Sequence, residues 1–275
     1  MRGACAVDLL GTVIAEGEIQ LSRPHYYLGD NTVLTNINHG PYMFLDTRDP
    51  VNLAILLTGD WEKWITNIML SIVKPGMTVL DIGAHTGFFS ILSGMLVGPT
   101  GQVHAFEPNP FHHRNLLKSI SFNGMYGRVH LHRVALSNQR GETEFQTIGD
   151  GGTSIQFLGI EAINEPTKFK VKQGLLTDFL PSLKADVIKI DVDGAEPLIM
   201  DSVFEVIDHN PSIIILMEYL PVIWRGGTPG PILQKFVQRG FRFHILFRDG
   251  QVVPTDAAGL EAHQDPDQLD LLIVR

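Results

Sequence analysis

The chain has 275 residues, 44% apolar and 19% charged, enough for one α/β domain with an appendage and a substantial core. A formal charge of −9, with no cluster of lysine and arginine, gives no reason to expect a nucleic-acid partner. A single cysteine, Cys5, excludes an internal disulfide framework and suits a reducing compartment.

The opening stretch, MRGACAVDLLGTVIAEGEIQ, is interrupted by Asp8, Glu16 and Glu18 and lacks the long apolar core of a signal peptide. Apolar runs such as SIIILM at 212–217 are too short to span a bilayer, so a cytoplasmic protein without a membrane partner is expected. Within residues 1–60, short strand-like runs (TVLTNI, YMFLD) alternate with Asn, Gly, Pro and Asp. They predict a small β-rich N-terminal cap.

Residues 61–275 read as one domain of alternating elements. EKWITNIMLSIV (62–73) predicts a helix stopped by Pro75-Gly76, MTVLDI (77–82) a buried strand, and GFFSILSGMLV (87–97) a second helix. GQVHAFE (101–107) is the next strand, and Asn109 with Pro110 caps the helix that follows. RVHLHRVAL (128–136) predicts a third strand. Strand-like ETEFQTI and KFKVK flank a glycine-rich loop, GDGGTS (149–154). ADVIKID, PSIIILME, FRFHILF and LDLLIVR then read as strands, with helices at 194–207 and 230–240 between them. The β-α-β order predicts a mostly parallel sheet of about seven core strands with helices on both faces.

One loop is chemically informative. In VLDIGAHTGFF (79–89) a strand ends at Asp81, and Gly83 and Gly87 bracket a turn into a helix. A dinucleotide site would need a middle glycine where His85 stands, and no Gly-Lys-Ser/Thr of a phosphate loop follows. The loop still offers close backbone approach at Gly83 and helix N–H groups near Gly87. Those suit a ligand carboxylate such as the methionine end of S-adenosylmethionine. Asp81 could meet the ligand's ammonium, and Glu107, ending the next strand, its ribose hydroxyls.

VLDIGAHTGFFS, HAFEPNP, VALSNQRGETEF and IKIDVDGAEP, in this order, resemble the FkbM-type S-adenosylmethionine-dependent methyltransferases over roughly residues 44–220. The resemblance implies a class I methyltransferase (Rossmann-like) fold, S-adenosyl-L-methionine as cofactor, and methylation of a hydroxyl on a sugar or natural-product small molecule. It places Ala135, Leu136 and Ser137 beside the adenine, and Asn109 with the cofactor-binding residues. The family usually carries Asn at the position of His85. An NAD(P)-dependent oxidoreductase and a non-catalytic S-adenosylmethionine-binding module are the alternatives. The first lacks both the middle glycine and a Tyr-x-x-x-Lys relay.

Oxygen methylation needs a base or a metal to deprotonate the acceptor. Asp191 ends a buried strand at the edge where ligands sit, and Glu218 ends its neighbour. Two adjacent carboxylates either share a proton or hold a cation such as Mg2+, so the pair is the candidate base and the candidate metal site. Asp193 and Glu196 have capping-box spacing for a helix from Gly194. Thr153 and Ser154 could form a lid, and Glu62 could face the pocket. Tyr42, Tyr219 and Trp224 could stack on the acceptor. Of the eleven histidines, His39 and His85 are the ones placed near the site. His112 and His113 are expected at the surface, and no metal-ligand spacing is evident. Nothing in the pattern specifies an oligomeric state.

Overall fold

The computed structural model describes residues 23–147, 167–263 and 267–275. Its centre is an eight-stranded sheet in the order β13-β12-β14-β11-β10-β4-β5-β6. The strands are β4 (Thr78–Ile82), β5 (Gln102–Phe106), β6 (Val129–His132), β10 (Val187–Ile190), β11 (Ile214–Tyr219), β12 (Arg242–Leu246), β13 (Val252–Thr255) and β14 (Leu269–Val274). β6, β5, β4, β10 and β11 are parallel neighbours; β14 runs antiparallel between β11 and β12. The strand beyond the expected seven is β13. Pro254 within it weakens the strand signal, yet proline is tolerated on an edge strand.

Alternation along the strands sorts the core into two layers. Leu80, Ile82, Ile188 and Ile190 face α5 (Glu196–His209), α6 (Pro229–Gln238) and α7 (Ala257–Ala262). Val79, Ala105, Val187 and Leu216 face α2 (Lys63–Ile72), α3 (Phe88–Leu96) and α4 (Pro110–Phe122). From β4 the chain winds outward through β5 and β6, then returns to place β10 against β4's other side. The strand order therefore reverses between β4 and β10, and a crevice opens at their carboxyl ends.

Residues 128–136 do not form one strand. β6 stops at His132, and β7 (Ala135–Leu136) joins a separate three-stranded sheet with β8 (Gly141–Thr147) and β9 (Thr167–Gly174). Ahead of the domain, where a β-rich cap was expected, β1 (His25–Tyr27), β2 (Thr32–Asn36) and β3 (Tyr42–Asp46) form an antiparallel sheet. A helix, α1 (Pro50–Thr58), follows where only β structure was expected. Its signals are local: the Asp49 side chain accepts the Asn52 N–H, Pro50 occupies the first turn, and Gly59 closes the end in the left-handed region. β3 is held to α4 by hydrogen bonds from Tyr42 N–H to Asn123 Oδ1 (2.8 Å) and from Phe44 N–H to Ser119 Oγ (2.9 Å). Among the described residues no helix is long and apolar enough to cross a membrane.

Candidate active site

The loop after β4 is built on the two glycines. At Gly83 (φ +83°) a β-carbon would lie 1.7 Å from the Asp191 carbonyl oxygen, so only glycine lets β4 and β10 pass this closely. At Gly87 (φ +88°) it would strike Leu116 of α4. Asp81 is buried at 1% exposure; Oδ2 accepts the Ser90 hydroxyl at 2.5 Å, and Oδ1 finds no hydrogen-bond partner. Burial raises its pKa, against the pull of Lys189. Thr86 Oγ1, in the same loop, is also buried without a partner.

Glu107 ties this loop to the next. Its Oε2 accepts the His85 N–H and its Oε1 the Asn109 N–H, each at 2.7 Å. Each oxygen keeps a further lone pair. Burial pushes the carboxyl up to about 7, opposed by the charge of His85 and by these two hydrogen bonds. Asn109 caps α4 as expected, accepting the Phe111 N–H at 2.9 Å.

Asp191 and Glu218 do come together, following in-register Ile190 and Met217 of adjacent strands. Two charged neighbours were missed. Asp270 on β14 is the direct cross-strand partner of Glu218, and Trp64 Nε1–H donates to it at 2.7 Å. Lys189 sits beside Asp81 in the β10–β4 register, 6% exposed, with Nζ 2.8 Å from Asp191 Oδ2 and over the Phe89 ring. Burial disfavours its cation, but Asp191, Glu62 and Asp81 outweigh this and raise its pKa. The signal was available: in VIKID a lysine interrupts a strand buried on both faces, which is costly unless it is paired. Glu62 occupies the N-cap position of α2 with a left-handed backbone (φ 41°) and makes no capping bond. It lies within the field of Lys189, Asp191 and Asp270, and burial raises it to about 8. Glu218 is pushed up to about 10 by burial and by Asp191, Glu196 and Asp193, so it holds a proton at neutral pH.

The capping box expected for α5 does not form. Ala195 is at the N-cap without a side-chain bond, and Glu196 Oε1 instead accepts the Val192 N–H at 3.1 Å. Ala135 and Leu136 are buried in β7. Ser137 donates its N–H to Gly174 O, and its Oγ accepts the Gln139 N–H, so it opens a turn. Tyr219 is no stacking platform: it is fully buried, with its hydroxyl on Leu260 O. Tyr42 packs on Phe122, and half-buried Trp224 packs on Tyr219. Thr153 and Ser154 lie outside the described residues.

The histidine expectations need correction. His39 Nε2 pairs with Asp60 at 3.6 Å in the cap. His112 is buried, not at the surface, and joins His85 and Asp49 in a cluster that sequence spacing did not show. The helical period gives the reason: His112 shares the buried stripe of α4 with Leu116 and Ile120.

A family model described as the methyltransferase FkbM domain matches residues 81–243, more than half the chain. The chain belongs to this family. S-adenosyl-L-methionine is the family's cofactor and methyl transfer its reaction. The FkbM chain also aligns with solved structures at low identity. M. jannaschii TYW2 in complex with AdoMet is 14% identical, with 90% of this chain and 86% of that one covered and a TM-score of 0.48. The FkbM methyltransferase of Methylobacillus flagellatus is 12% identical, with 80% and 52% covered and a TM-score of 0.45. No curated protein sequence matches.

The described residues fit that cofactor. Asp81 Oδ1 and Thr86 Oγ1 are buried oxygens without partners in the loop after β4, and Glu107, bonded to the same loop at His85, keeps acceptor capacity.

Proposed function

We propose that this FkbM-family protein is an O-methyltransferase acting on a hydroxyl of a sugar or natural-product small molecule. The observation that carries the reading is Asp191. It stands at the carboxyl end of β10, packed on the Gly83 loop, with its side chain 28% exposed and paired with a buried lysine. S-adenosylmethionine, when bound, supplies a methyl group already activated on a sulfonium.

Asp81 takes the ammonium of the methionine end, and Glu107 orients the ribose through the lone pairs its two backbone donors leave free. Asp191 accepts the acceptor's hydroxyl proton at Oδ1 while Lys189 holds Oδ2 and fixes the carboxylate's orientation. Glu218, protonated at neutral pH, is a hydrogen-bond donor that can align the acceptor. Of the two roles open to Asp191 and Glu218, we take the base over the Mg2+ ligand, because Lys189 already supplies a cation 2.8 Å from Asp191. The acidic balance of the chain fits a neutral small-molecule acceptor better than a polyanion.

The test is Asp191→Asn. Its affinity for S-adenosylhomocysteine is expected within about threefold of wild type, with turnover of a hydroxylated acceptor down by about 10²–10⁴-fold. Turnover is expected to be indifferent to added Mg2+. Full activity in the variant would remove Asp191 as the base, and strict Mg2+ dependence would restore the metal role.

A further inference from the structure

Asp49, His85 and His112 come from three separate segments: the turn before α1, the cofactor loop, and the buried stripe of α4. Their donor atoms all lie within 4.8 Å of one another. Asp49 Oδ2 is 3.3 Å from His85 Nε2 and 4.0 Å from His112 Nε2, and the two imidazoles lie 3.8 Å apart, centroid to centroid.

The carboxylate is aimed by a neighbouring bond, and the two histidines are held by their backbones. Asp49 Oδ1 is occupied by the Asn52 N–H at 3.0 Å, which turns Oδ2 toward the imidazoles. The Asp49 side chain is 2% exposed, and Oδ2 is buried without an aligned hydrogen bond. His85 is fixed by its left-handed backbone (φ 50°) and by its N–H bond to Glu107. His112 is held by α4, its side chain 5% exposed. A carboxylate oxygen buried against two imidazoles is costly unless a cation balances it.

We propose that these three residues bind a divalent transition-metal ion, Zn2+ being the best suited, and so tie the N-terminal segment and α4 to the cofactor loop. Two imidazoles, borderline nitrogen donors, turn a site with one carboxylate toward zinc, cobalt or iron rather than Mg2+. Donors around tetrahedral zinc stand about 3.3 Å apart at bond lengths of 2.0–2.1 Å. The Asp49–His85 separation already matches this, and His112 closes on them by a shift of roughly an ångström. The His85 side chain is 28% exposed, which gives the ion an entry path and leaves a fourth position for water.

The experiment uses the full chain, freed of metal by chelator and dialysis. It is titrated with Zn2+ by calorimetry and with Co2+ by visible absorption. One ion per chain is expected, with tetrahedral Co2+ bands and a higher melting temperature. Both are lost in His112→Gln and Asp49→Asn, and kept in His132→Gln, which alters the separate stack of His104, His130 and His132. Circular dichroism and S-adenosylhomocysteine binding report whether each variant folds. Should the buried positions not tolerate change, His85→Asn at the more exposed ring carries the same expectation. Absence of Zn2+ heat and Co2+ bands in wild type would overturn the site. So would an unchanged stoichiometry in the folded variants, or loss of the ion in His132→Gln alone. The first result would leave the two imidazoles to balance Asp49 by themselves.

Discussion

Glu218→Gln should stabilise the protein, and by more as the pH rises. In the folded chain Glu218 is pushed to about 10 by burial and by the charges of Asp191, Glu196 and Asp193, from an ordinary value of 4.5. Between those values the folded state carries one proton more than the unfolded chain at this residue. Stability therefore falls with rising pH, by about 1.4 kcal/mol per unit from this group alone. Glutamine keeps the shape and neutrality of the protonated side chain but does not titrate. From pH 6 to pH 8 the variant's advantage should grow by about 2–3 kcal/mol. Because Glu218 is already neutral over this range, its neighbours feel the same field in both proteins, and their own titrations cancel in the difference. Urea unfolding of both proteins at pH 6, 7 and 8, with equal m-values, is the assay. A stability difference constant across that range would refute the reasoning.

Lys189→Met leaves Asp191 and Asp81 without their buried cation and should cost about 3–5 kcal/mol at pH 7.5. Because Lys189 is raised in the fold, its contribution is fully present below its unfolded value near 10.5 and is lost only as pH rises through the folded one. Denaturant melts at pH 7.5 check the loss. Gly83→Ala sets a β-carbon against the Asp191 carbonyl in a left-handed backbone; a loss of at least about 2 kcal/mol is expected, together with S-adenosylhomocysteine binding by calorimetry. If Glu107 holds the ribose as a carboxylate, wild-type affinity should fall as the pH drops through about 7, and Glu107→Gln should flatten that dependence. An affinity equal at pH 6 and pH 8 in wild type would count against that role.

Much of the sheet was legible because its central strands are buried on both faces. VLDI, VIKI and IILM are near-continuous apolar runs, and turn residues punctuate them. The loop after β4 was equally legible as a turn, since Gly83 and Gly87 are demanded by a backbone geometry and packing that a β-carbon would disrupt. The break after His132 was hidden because HRVAL continues the apolar alternation; only pairing with β9 shows that Ala135 and Leu136 leave the main sheet. Lys189 was passed over because it lies within a strand read as uniformly apolar. Asp49 and Asp270 lie far in sequence from the residues they serve, and register brings them in: Asp270 reaches Glu218 only because β14 inserts antiparallel beside β11. His112 escaped because adjacency to His113 was weighed above the helical stripe it shares with Leu116.

The measurement that bears most directly on the account is the fate of the methyl group. Purified protein is incubated with S-adenosylmethionine labelled at the methyl carbon and with matched acceptor sets: sugars, hydroxylated ring scaffolds, amines and structured RNA. The labelled product is then assigned by NMR and mass spectrometry. The account predicts a methyl ether on a hydroxylated small molecule, and loss of that product in Asp191→Asn. A labelled methyl on nitrogen, on carbon or on RNA would contradict it.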